Sequence, residues 1–304
     1  MTEHIWRMGF LGVWALFLGI GGDDPVGGQE KAVQQQPKST AEALAVYGDA
    51  ANFQNNGAFE IAETEWLRFL KNFPDDPLAG KAQHYLGICS LKLKKLGAAA
   101  EAFQKVVTKY QGFELTEEAY LNLGWCQYTL GQAKDKKSDQ LAKAKDTFAR
   151  MLKLYPPGKG NKCDQALFFQ AETLYGLNEK EAAVRSYSIL LSGFSESPLS
   201  RDALYALGVT QEELGRYAKA GDAYQKFMGQ YADHELFSEV QMRHAETLLQ
   251  QGVSAQQGGD AEKAGSLFAR AEAGFAKVAK IKDFSSADHA LYRQAFCVIQ
   301  RDDL

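Results

Sequence analysis

Little in this sequence points to chemistry. Proline is scarce, with seven in 304 residues, so long stretches are free to be helical. The four cysteines include no Cys-x-x-Cys pair, which excludes a zinc ribbon and a dense disulfide framework. Five histidines (His4, His84, His234, His244 and His289) stand in no metal-ligand spacing, and Ser238 sits where a His-Glu-x-x-His helix starting at His234 would need its second histidine. Thirty-four basic against thirty-eight acidic residues leave a net charge of −4, too little of either sign to gather nucleic acid or an anionic bilayer. Gly-x-Ser-x-Gly is absent. The stretch Gly158-Lys159-Gly160-Asn161-Lys162 lacks the spacing and the Ser or Thr of a phosphate loop, and reads as a linker. These absences argue against an enzyme, a cofactor, a metal site and a nucleic-acid partner.

What is present is helix-forming and apolar. A 45% hydrophobic and 12% aromatic content is that of a folded chain, and Ala, Leu, Glu, Lys and Gln dominate between the prolines, giving an all-α expectation. At the N-terminus, Arg7 precedes the apolar run Met8 to Ile20, with Gly19, Gly21 and Gly22 at its end. The run is shorter than the ~20 residues of a membrane span. Residues 1–22 are read as a signal peptide for export to the periplasm or cell envelope. An uncleaved anchor, giving membrane association through the same apolar segment, is the alternative. Residues 23–40, polar and carrying Gly, Gln and Pro, form a flexible linker.

Internal similarity sets the architecture. The segment from Leu86 aligns without a gap with the segment from Leu207, and a small residue recurs at Ala50, Gly87, Gly124, Ala171, Gly208, Ala245 and Ala295, at intervals of 37, 37, 47, 37, 37 and 50. Twelve residues beyond this anchor stand Ala62, Ala99, Ala183 and Ala220, and sixteen beyond it Trp66, Phe103, Tyr187 and Tyr224. Small residues let antiparallel helices approach closely, and the aromatic four positions later fills the space to the next pair. Gly57, Gly131 and Gly215 supply the positive φ of a C-terminal cap. FPDDP, YPPG and FSESP stop the second helices. Cys89, Cys126 and Cys297 share one position two residues past an anchor and are small core residues. The extra length of the third and sixth units falls after Gly131 and Gly252 and lengthens two hairpins, the first carrying an interleaved Lys/Asp run that reads as a solvated face.

This pattern of small, Gly, small, aromatic and terminal Pro resembles the tetratricopeptide repeat family over residues 41–304. The 37-residue period and Tyr85-Leu86-Gly87 are similar to a bacterial cell-envelope branch that includes the Tol-Pal-associated division coordinator and the outer-membrane assembly lipoprotein. The chain lacks the coiled coil of the one and the lipid-bearing Cys of the other. The resemblance implies a right-handed superhelix, an alpha-alpha solenoid of six helical hairpins plus a final single helix. The repeats fall at about 41–77, 78–114, 115–160, 161–198, 199–235 and 236–284, with a half-repeat at 285–304.

In such solenoids the first helix of each pair lines a concave groove. Positions set by helical turns around the anchors then place Tyr47, His84, Leu121, Trp125, Tyr128, Phe168, Glu172, Tyr175, Tyr205, Glu212, Met242 and Glu246 on it. The groove is expected to be aromatic and mildly acidic, suited to a peptide or protein partner with apolar anchors and basic residues. The Lys, Arg and Asn of a carboxylate clamp are missing from these positions. The resulting expectation is a non-enzymatic protein-binding scaffold of the bacterial cell envelope. The alternative is a structural or oligomerising module acting through its extended hairpins and final helix.

Overall fold

A computed structural model describes residues 38–110, 112–133 and 137–302. The expected signal peptide and nearly all of the expected linker lie outside the described residues. Thirteen α-helices and no strand are found among them. They are α1 Ala41–Asn55, α2 Phe59–Asn72, α3 Ala79–Lys92, α4 Leu96–Lys109, α5 Thr116–Gly131, α6 Lys137–Leu154, α7 Cys163–Gly176, α8 Lys180–Gly193, α9 Ser200–Glu213, α10 Tyr217–Gln230, α11 Phe237–Gln257, α12 Ala261–Val278 and α13 Ala287–Asp302. Each helix packs against its neighbours in sequence, as six hairpins and a last single helix. No described helix is long and apolar enough to cross a membrane.

The anchors explain the spacing. A β-carbon on Gly87 would lie 2.7 Å from the ring of Phe103, and one on Gly124 would lie 2.6 Å from Phe148, so only hydrogen fits where these rings seat. Gly208 meets Tyr224 in the same way. Trp66, Phe103, Tyr187 and Tyr224 are all buried to within 1%. Trp66 also donates its indole N–H to Gln54 at 2.8 Å, satisfying the one polar atom it carries into the core.

The two long hairpins are extended in register. In the third, Gly131 is a buried helical residue whose β-carbon would lie 2.8 Å from Leu141. It is therefore not the positive-φ cap expected from the sequence: two more helical turns past Gly124 put it inside the hairpin. In the sixth, Gly252 takes the ring of Phe268 while Ala245 faces Gly274. Gly57 and Gly215 do adopt positive φ, as expected, and Lys94 and Asn178 do so at the corresponding turns of the second and fourth hairpins. All four cysteines are free and buried. Of the Lys/Asp run, Lys143 pairs with Asp139 at 2.7 Å along its own helix face and Lys145 reaches Glu179 of the next hairpin at 2.6 Å.

The linkers after the second helices are closed by side chains that accept the backbone N–H of the residue just before the next helix. Asp76 accepts the N–H of Leu78 at 2.8 Å and the hydroxyl of Ser39 at 2.7 Å. At the corresponding place Ser197 accepts from Leu199 at 3.2 Å, and His234 Nδ1 accepts from Leu236 at 3.1 Å.

Candidate peptide-binding face

The first helices of the six hairpins, α1, α3, α5, α7, α9 and α11, carry the twelve expected groove residues. Five of them are core. His84 is 1% exposed, with its ring edge-on to Tyr85 and Phe103 and its Nε2 3.6 Å from Glu118. Leu121, Tyr128, Phe168 and Met242 are also buried. Neighbouring helices close over them: His84 meets Phe103 of α4, Phe168 meets Tyr187 of α8, and Tyr128 meets Phe169 of α7.

The remaining seven are half-buried and partly open to solvent: Tyr47, Trp125, Glu172, Tyr175, Tyr205, Glu212 and Glu246. Tyr47 is held edge-on by Trp66 at 4.9 Å between centroids and by Phe69 at 5.6 Å. Tyr175 donates its hydroxyl to Glu213 at 2.8 Å, and Tyr205 lies under the Arg243 guanidinium at 5.8 Å. Burial raises the pKa of all three phenols above the ordinary tyrosine value, so they remain neutral, amphipathic rings.

The carboxylates are committed to internal partners. Glu172 accepts from Tyr187 and, at 3.3 Å, from Tyr128. Burial pushes its carboxyl above the usual range, with the two hydroxyls pulling the other way. Glu212 accepts from Tyr224 at 2.8 Å and pairs with Arg243 at 3.3 Å, and Glu246 pairs with Arg293 at 3.1 Å. Arg243 also binds Glu239 at 2.8 Å, while Arg201 pairs with Asp202. The acidic character expected of the later groove is thus largely compensated from within.

Arg243 of α11 and Arg293 of α13 also stand on first helices, and the groove pattern passes over them. Both stand two residues before an anchor, where earlier repeats have Gly48, Tyr85, Asn122, Phe169 and Ala206, so the change of residue type at that position is the available signal. No group of three His, Cys, Asp or Glu side chains among the described residues is arranged to hold a metal.

Antiparallel helical hairpins stacked in one direction, with small anchors under large rings, define a helical repeat solenoid, a class built for protein interaction. The chain belongs to the tetratricopeptide repeat family: its profiles match residues 47–113 and 170–235 and residues 118–157, together more than half of the sequence. No curated protein sequence matches this chain. Among solved structures, a tetratricopeptide repeat protein from Parabacteroides merdae ATCC 43184 is 12% identical, with 85% of this chain and all of that one aligned at a TM-score of 0.54. MamA (41-end) from Desulfovibrio magneticus RS-1 is 14% identical over 64% of this chain and 98% of its own, with a TM-score of 0.52. YrrB, described as having an unusual peptide-binding site, is 19% identical over 64% of this chain and 89% of its own, with a TM-score of 0.51. At these identities the likeness is one of fold.

Proposed function

We propose that this protein is a non-enzymatic scaffold that holds a peptide or protein partner against the face formed by its first helices. The observation that carries this reading is the row of half-exposed aromatic rings, Tyr47, Trp125, Tyr175 and Tyr205, each on a different first helix of the stack. Rigid aromatic anchors on a fixed support give contact area at low entropic cost. The peptide-binding site named for YrrB is in keeping with this use of the fold. Because most carboxylates of the face already have internal partners, the ligand is selected by apolar anchors more than by basic residues. The bacterial cell envelope as its location rests on the N-terminal sequence alone. A pull-down from envelope extract with Trp125, Tyr175 and Tyr205 all changed to alanine tests the reading: loss of the partner supports it, and undiminished capture contradicts it.

Self-association is the second reading. It is favoured by α13, which presents Leu291, Tyr292 and Ile299 at 60%, 65% and 57% exposure. Sedimentation over a range of concentrations decides it, since a strict monomer removes it.

A further inference from the structure

The overhang of the third hairpin is taken up by the hairpin that follows: Leu141 would meet a β-carbon on Gly176 at 3.1 Å, and Lys145 binds Glu179 at 2.6 Å. The sixth hairpin is followed only by α13. Its extension stands instead beside the turn of the fifth hairpin, and the two flank an open cleft of about 450 Å3. One wall is Gly215 to Lys219, the turn and first residues of α10; the other is Gln251, Ser254 and Ala255 of α11 with Lys263 of α12.

This cleft is cationic in a chain whose net charge is −4. Arg216, Lys219 and Lys263, the charged residues of its lining, come from both hairpins, so the charge is not the property of one helix end. Lys219 and Lys263 are exposed and form no ion pair with any described residue, whereas Arg216 is tied at 3.3 Å to Glu181, itself 57% exposed. Asp260, the nearby carboxylate of the same edge, is engaged in capping α12 through the N–H of Lys263 at 3.1 Å. The Gln251 amide adds a polar group to the wall, donating to Thr247 O at 3.1 Å and to Tyr217 O at 3.5 Å.

Three basic residues lining one open cleft, two of them in no ion pair with a described residue, are complementary to a ligand bearing several negative charges at side-chain spacing. We infer that the cleft between the fifth turn and the sixth hairpin is a second docking site, for an acidic peptide segment of a protein partner. It is separate from the aromatic face and does not depend on it. An acidic segment gripped here would fix the register of a partner whose apolar part lies on the first helices.

The probe is a fluorescein-labelled peptide of alternating Glu and Gly, about eight residues long, which at ~3.3–3.6 Å per residue can pass through the cleft. Anisotropy titration at about 0.15 M salt, where the screening length is ~8 Å, keeps only close charge pairs in play. The variant Lys219→Glu with Lys263→Glu is expected to weaken binding at least about tenfold. Lys71→Glu with Lys105→Glu, an equal charge change on exposed positions of α2 and α4, is expected to change it less than about twofold. Helical circular dichroism confirms that both variants remain folded. Equal weakening by both pairs, or equal binding of a Gln/Gly peptide, overturns the proposal. Complete displacement by millimolar inorganic phosphate also overturns it, by showing a small-anion site in place of a peptide site.

Discussion

The ring of Phe268 lies so close over Gly252 that a β-carbon there would stand 2.6 Å from it. The sixth hairpin therefore repeats the anchor-and-ring contact of Gly87 with Phe103 two helical turns beyond its own anchor, Ala245. Gly252→Ala is expected to destabilise the protein by about 1–3 kcal/mol through overpacking, against the ~1 kcal/mol that Ala otherwise gains in a helix. Gly97→Ala, in open space on α4, is the control and should be neutral or stabilising. Denaturant unfolding of the two single variants, and of Gly252→Ala with Phe268→Leu as the expected rescue, checks this.

Glu172 ties the third and fourth hairpins together by accepting from Tyr128 and Tyr187. Its folded-state pKa is raised, so the proton is bound more tightly in the folded protein, and the stability linked to this group is present at low pH and lost as pH rises through the raised value. Glu172→Gln keeps an acceptor without the charge and should remove that pH dependence at little cost. Glu172→Ala leaves two buried hydroxyls unpaired and should cost about 1–3 kcal/mol for each. Thermal melts of the two variants between acid and neutral pH separate the cases.

His234 closes the turn before α11 by accepting the Leu236 N–H at Nδ1, which only the neutral ring can do. Its pKa is lowered by burial and by Arg201, and that of His244 by burial and by Arg270. For a lowered histidine the unfolded chain takes up the proton first, so stability is full above the ordinary value of about 6.5 and falls as pH drops below it. His234→Asn, which can still accept the Leu236 N–H, should flatten that part of the profile. Unchanged acid sensitivity in the double variant with His244→Gln would assign the effect elsewhere.

The solenoid was readable because its period is made by steric necessity: Gly87 and Gly208 must be small where Phe103 and Tyr224 seat, and that pairing leaves a fixed spacing in the chain. Gly131 shows the limit. A glycine seven residues past an anchor has the same sequence signature whether it turns the chain, as Gly57 and Gly215 do, or receives Leu141 inside a longer hairpin. The face was half-readable. Helical turns place a residue on a side of its helix, but whether His84, Phe168 or Met242 stays open depends on how far the next repeat leans over it. Nor does the sign of a carboxylate reveal that Arg243 and Arg293 will neutralise it from the following helix.

Partner binding by the aromatic rings of the first helices is read out by site-specific photo-crosslinking in cells. A crosslinking residue is placed in turn at Trp125, Tyr175 and Tyr205, and at Leu67 and Ile189, exposed apolar positions on the second helices α2 and α8. Binding on the aromatic face gives one discrete adduct from the first three positions and none from the last two. Adducts from Leu67 and Ile189 alone would contradict it.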